Sequence, residues 1–130
     1  MFKTKSDIIQ KIHLIVSVLI VIPVGLMYAF FPDFQFELHP NTTDEFNFYK
    51  AIMGLYLGCS VIWLLGVFKS AYLKTALITN IIFMLGLGLG RLFSVIIDGA
   101  PSFGYQFGML AELALGIYGL WVLKNYRTLP

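Results

Sequence analysis

Four apolar runs, approximately residues 12–31, 51–68, 75–97 and 103–123, decide most of what this chain can become. A helix needs about 20 predominantly apolar residues to cross roughly 30 Å of hydrocarbon, and each run is of that order. Together they take up most of the 130 residues and leave little chain for a domain outside a bilayer. Charged residues are only 12% of the sequence and hydrophobic ones 58%, whereas a soluble domain carries about 25% charged residues. A water-soluble fold is therefore not expected. A membrane β-barrel needs segments of about 10 residues that alternate between apolar and polar, and neither IIFMLGLGLG nor VIWLLGVF alternates. The expected fold is all-α, an integral membrane four-helix up-down bundle forming one domain over residues 1–130.

Lysine and arginine are distributed unevenly among the loops, and this bias sets orientation. Lys3, Lys5 and Lys11 precede the first run, Lys69 and Lys74 lie between the second and third, and Lys124 and Arg127 follow the fourth. The other two loops hold mainly Asp33, Glu37, Asp44, Glu45 and Asp98. Both ends of the chain are thus predicted to face the cytoplasm. The basic start resembles that of a signal peptide, but the first run exceeds the usual 7 to 15 residues or so, and LMYAFFPD offers no small-x-small cleavage site. It reads as a retained span.

The longest loop, FPDFQFELHPNTTDEFNFYK, mixes acids with Phe31, Phe34, Phe36, Phe46 and Phe48 and follows Phe30. Aromatic rings gather at the headgroup layer, so this loop is expected to lie there. Thr42 and Glu45 have capping-box spacing, in which hydroxyl and carboxylate satisfy free amides at a helix start. The second helix is accordingly predicted to begin before Lys50. Pro23 removes a backbone donor and is expected to bend the first helix.

An arginine and a glutamate inside apolar runs are the residues that call for an explanation. At 1.5 Å rise per residue, Arg91 falls roughly 7 Å inside the outer boundary and Glu112 roughly 12 Å inside it. Helical side chains lean toward the N-terminus of their helix, and the third and fourth helices run in opposite directions, so the two lean toward each other. Leaving either alone near the bilayer centre costs on the order of 3 kcal/mol, which makes a pair the economical arrangement. Arg91, Ser94 and Asp98 share a face with Asn80, while Lys50 and Asp98 fall near the outer boundary. The expected site is a polar cluster of Lys50, Arg91, Asp98 and Glu112 in the outer half of the bundle.

GxxxG spacing at Gly54/Gly58, Gly86/Gly90 and Gly104/Gly108 favours close helix contact, either within the chain or in a homo- or hetero-oligomer. His13, one turn from Ser17, reads as an interfacial polar residue, and Cys59 as an inert packed thiol. No metal site and no cofactor is implied by any ligand spacing, and nothing supports nucleic-acid binding. The bilayer, a small-molecule or lipid ligand, and an oligomeric partner are the partners the sequence suggests.

Three stretches, KAIMGLYLGCSVIWLLGVF, TALITNIIFMLGLGLGRLFSVIIDGAPS and ELALGIYGLWVL, resemble the bacterial membrane proteins of the domain of unknown function 4345 family. The likeness covers nearly the whole chain. Its most specific parts are Gly54 to Gly58, Gly90 to Ser102 and Glu112. An arginine commonly stands just before the GLYLG segment in that family, and here the matching place near Lys50 holds lysine, which keeps the charge but not a bidentate guanidinium contact. The resemblance implies a four-span protein of a bacterial cytoplasmic membrane and no established reaction.

Three functional classes follow from the residues. In the first, Arg91 anchors an anionic or carbonyl group of a small molecule or lipid headgroup, Glu112 orients it, and Lys50 and Asp98 line the mouth. In the second, the protein is an assembly subunit in which the Arg91–Glu112 pair is a strut. In the third it is a membrane-embedded enzyme with Glu112 or Asp98 exchanging a proton, although no recognised catalytic motif accompanies them.

Overall fold

A computed structural model describes residues 2–35 and 37–126. Phe36 and Arg127, used above for the aromatic loop and the charge bias, lie outside the described residues. The elements are α1 (Lys5–Phe30), α2 (Pro32–Gln35), α3 (Thr43–Phe68), a 3₁₀ turn (Ser70–Tyr72), α4 (Leu73–Asp98) and α5 (Phe103–Asn125). The four long helices have the length and hydropathy to cross a membrane, so the chain has the architecture of a multi-pass membrane protein. The end of the bundle that holds Lys5 and Lys69 is called proximal below, and the end that holds Thr42 and Asp98 distal.

Helix starts follow from local chemistry. At α3, the Glu45 amide donates to Thr42 Oγ1 at 3.2 Å, and Glu45 Oε2 accepts from the Thr42 and Asn41 amides at 2.9 and 2.6 Å. The expected capping box is therefore formed. The same device starts α1, where Thr4 Oγ1 accepts from the Asp7 amide and the Asp7 carboxylate accepts from the Thr4 amide. This is why α1 begins ahead of its apolar run: a cap tolerates polar first turns that hydropathy alone passes over. α1 then continues as one helix through Pro23, as membrane helices can when neighbours satisfy the freed carbonyl. The reversal from α4 to α5 uses Gly99 at φ 99°, a conformation open to glycine because it lacks Cβ.

Packing runs in sequence, α1 on α3, α3 on α4 and α4 on α5, and α1 meets α5 over a much thinner interface. Leu14, Trp63, Val67, Leu77, Met84 and Val122 are almost fully buried along the axis. Leu19, Ile82, Ile96 and Ile117 point outward from three different helices, an arrangement that is costly in water and favourable against hydrocarbon. The α1–α5 seam is closed at the proximal end, where Tyr118 Oη donates to the Ile9 carbonyl at 2.8 Å and the His13 and Tyr118 rings lie 5.2 Å apart. Farther toward the distal end the seam parts.

Packing within the chain settles two details that spacing leaves open. Within the chain, five of the glycines with GxxxG spacing bring no helices together: a Cβ added at Gly54, Gly58, Gly86, Gly90 or Gly108 meets nothing within 4 Å. Contact is made instead at Gly25 against Tyr56, Gly66 against Ala76, Gly88 against Leu113, and Gly116 against Leu85. Spacing places two glycines on one face, but whether a neighbour occupies that face is decided by the bundle. His13 packs inside the bundle at its proximal end. It is 2% exposed, and both ring nitrogens are buried without a hydrogen-bond partner.

Asn80 is fully buried, with neither amide atom partnered. A buried amide without a bond is destabilising by about 1–3 kcal/mol. Asn80→Leu, with the same branching at Cγ and no polar atoms, is therefore expected to raise the thermal unfolding midpoint in detergent. A lowered midpoint would indicate that an ordered water satisfies the amide.

Candidate functional site

The site is built where α4 and α5 interlock. Leu85 of α4 rests in the notch at Gly116, where an added Cβ would sit 2.7 Å from the leucine Cγ and 3.3 Å from its backbone nitrogen. Leu113 of α5 fills the notch at Gly88 reciprocally, at 2.8 and 3.3 Å from the same two atoms. These two contacts draw the backbones together just below the charged residues. Arg91 lies about one turn past Gly88 and Glu112 about one turn before Gly116, so each side chain reaches its partner across a short gap.

Arg91 Nε donates to Glu112 Oε2 at 2.9 Å and to Oε1 at 3.2 Å, a single N–H shared between both carboxylate oxygens. Arg91 Nη2 donates to Tyr28 Oη at 3.4 Å, and the guanidinium carbon stands 5.5 Å from the Tyr105 ring centroid. A cation at that distance is attracted by the electron-rich face of the ring. The two charged side chains are 22% and 14% exposed, so the pair is largely withdrawn from the bundle surface. Behind it, Tyr56 packs edge-on against Tyr28 and Phe83, with ring centroids at 5.9 and 5.1 Å. This aromatic wall joins α1, α3 and α4.

The pair borders a cavity of about 520 Å³ between α1, α4 and α5, within the range of about 300–1,000 Å³ common for small-molecule sites. Ile20, Val24, Phe83, Leu87, Phe107 and Leu115 supply much of its apolar lining, and Gly108 leaves part of one wall low. Its outer lining residues Ile20, Phe103 and Phe107 are exposed, which places the opening where the α1–α5 seam parts. A shallower groove of about 380 Å³ lies between α3 and α4, lined by Tyr49, Ile52, Gly86 and Gly90 among others. Tyr28, Tyr56 and Arg91 border both spaces.

Of the expected cluster, Arg91 and Glu112 meet, whereas Lys50 and Asp98 stand apart from them. Lys50 Nζ lies 5.4 Å from the Phe46 ring centroid and 5.9 Å from that of Phe30. Asp98 is exposed and accepts from Ser94 Oγ at 2.8 Å. Neither is among the described residues that line the cavity. The reason lies in α4, where every residue from Leu92 to Asp98 is exposed or half-exposed: the polar stripe is continuous along the helix, but its last two turns leave the packed interior. Asn80, at the other end of the stripe, is buried below the cavity.

Three tyrosines complete the site. Tyr105 shares a helical face with Glu112, which the sequence does reveal. No motif or spacing in the sequence singles out Tyr28 or Tyr56. The same rise per residue that sets the height of Arg91 places both within about a turn of it, and that coincidence of height is the signal that would have marked them.

Chemically, the arrangement is a compensated ion pair in the wall of a mostly apolar cavity. No curated protein and no solved structure matches the chain. A family model does match, from within α1 to within α5, and the chain belongs to that family, the Domain of unknown function (DUF4345), over residues 9–123.

Proposed function

We propose that this protein binds a small amphipathic molecule of the membrane, a lipid headgroup or a small ligand with an anionic or carbonyl group, in the cavity between α1, α4 and α5. Arg91 is the anchor and Glu112 fixes the guanidinium. The observation that carries this reading is the position of Arg91: it stands in the wall of an apolar cavity whose mouth lies at the parted α1–α5 seam. A strut needs no cavity beside it. A ligand dissolved in hydrocarbon can approach this mouth sideways without crossing an aqueous phase.

The lysine-rich proximal end supports a cytoplasmic orientation for that end, which puts the cavity in the outer half of the membrane. A bacterial cytoplasmic membrane is the proposed setting. Phe31, Phe34 and Phe48 are well exposed at the distal end and suit the outer headgroup layer.

Gly108 provides the test. A Cβ there meets no protein atom within 4 Å and the residue lines the cavity, so Gly108→Leu is expected to fold normally and fill the space. Native mass spectrometry of the protein extracted with its own membrane lipids is expected to find a small molecule retained by wild type, and at least tenfold less on Gly108→Leu and on Arg91→Ala at equal folded yield. Equal occupancy on all three proteins would overturn the reading.

A second reading, as an assembly subunit, is supported by α3. Gly54 and Gly58 are exposed and meet no neighbour in this chain, which leaves a smooth face suited to another helix. It requires co-purification with a stoichiometric partner, or a dimer that Gly58→Leu disrupts.

A further inference from the structure

The charge of the chamber selects among the ligands that its shape admits. Arg91 is already compensated: its Nε–H is shared by both Glu112 oxygens at 2.9 and 3.2 Å, before any ligand arrives. Among the described residues that line the cavity, Arg91 and Glu112 are the only charged ones, and the nearby cation Lys50 is directed to the rings of Phe30 and Phe46. The chamber is therefore electrically neutral as built.

An anion placed against the guanidinium would also stand within a few ångströms of the Glu112 carboxylate. Coulomb attraction and repulsion at comparable distances nearly cancel, while the loss of the anion's hydration remains uncompensated. An uncharged acceptor suffers no such penalty. A guanidinium carries five N–H donors and accepts none. The Nε–H goes to Glu112 and one Nη2 hydrogen to Tyr28, Tyr56 is a further hydrogen-bond partner of the guanidinium, and the remaining N–H groups are left for a carbonyl oxygen. The Tyr105 ring, its centroid 5.5 Å from the guanidinium carbon, attracts the cation and helps to hold it at the cavity wall. The apolar lining then receives a hydrocarbon or ring body.

We infer that the cavity selects an uncharged, hydrogen-bond-accepting amphiphile, an ester, amide or quinone-type carbonyl on an apolar body, in preference to a carboxylate or phosphate of the same size. Glu112 is the specificity-determining residue: it removes the net charge that would otherwise draw an anion. This inference rests on the binding function proposed above and narrows its ligand class.

The test compares dodecanoic acid with its methyl ester at pH 9, where the free acid is ionised, on purified full-length protein in a non-ionic detergent, with bound fractions read by native mass spectrometry. Wild type is expected to favour the ester at least tenfold. Glu112→Gln, which leaves Arg91 uncompensated, is expected to reverse the order. A wild-type preference for the carboxylate, abolished by Gly108→Leu, would overturn the inference while leaving the binding function standing. Binding of neither probe to wild type, with no retained molecule in the membrane extract, would overturn both. The wild-type comparison needs no variant, so it decides the matter even where Glu112→Gln folds poorly.

Discussion

Glu112→Ala is expected to destabilise the bundle by about 3–5 kcal/mol, the range for removing one partner of a buried ion pair. The loss does not measure the attraction within the pair. It reflects Arg91, 22% exposed beside Glu112, left as a charge in an apolar setting with uncharged tyrosines in place of a counter-ion. Replacing both residues by methionine removes the uncompensated charge together with the pair, so most of the stability is expected to return. Thermal unfolding of wild type, Glu112→Ala and Arg91→Met/Glu112→Met in one detergent checks this. A double variant no more stable than Glu112→Ala would show that the two side chains do not depend on each other.

The second large effect is expected at the interlock between α4 and α5. A Cβ at Gly88 meets Leu113 Cγ at 2.8 Å and its backbone nitrogen at 3.3 Å, and Gly116 is equally close to Leu85. The leucine tips can turn aside, but backbone cannot. Overpacking of this kind costs about 1–3 kcal/mol at each site, and a β-branched side chain adds width at the point of closest approach. Gly88→Val/Gly116→Val is therefore expected to lower stability by several kcal/mol on the same scale. It should also separate Arg91 from Glu112, so that ligand retention falls further than the folded fraction does. Proportional loss of both would mean that helix spacing does not control the pair.

The fold was largely legible because the requirement to cross hydrocarbon is written into run length and composition, and because charges cannot be hidden inside such runs without a partner. The heights of Arg91 and Glu112 and the lean of their side chains followed from helix geometry alone. So did the start of α3 at Thr42 and Glu45. What could not be read was lateral position. Asn80 and Asp98 share a stripe with Arg91, yet one is buried and the other exposed, because the bundle covers only part of the length of α4. Lys50 lies near the right height and turns to Phe30 and Phe46 instead. Gly88 and Gly116 have no GxxxG partner and still form the tight seam, since the knobs that fill them come from another helix. Periodicity describes one helix, and these features depend on the relation between two.

That same relation explains how the molecule could hold a ligand without a large domain. Four sequentially packed helices close three seams well and the fourth only at the proximal end, through Tyr118, Ile9 and His13. The parted distal half of that seam is where the cavity opens, and the interlock of α4 and α5 presents the guanidinium at its wall. The α1–α5 seam is thus closed at one end of the bundle and parted at the other.

The most direct measurement is an experimental density map of the protein in nanodiscs made from its own membrane lipids. The expected result is an elongated non-protein density in the α1–α4–α5 cavity, its polar end within hydrogen-bond distance of Arg91 and its tail leaving between Ile20 and Phe107. A cavity closed by protein side chains, or Arg91 turned away from Glu112 toward lipid, would contradict the account.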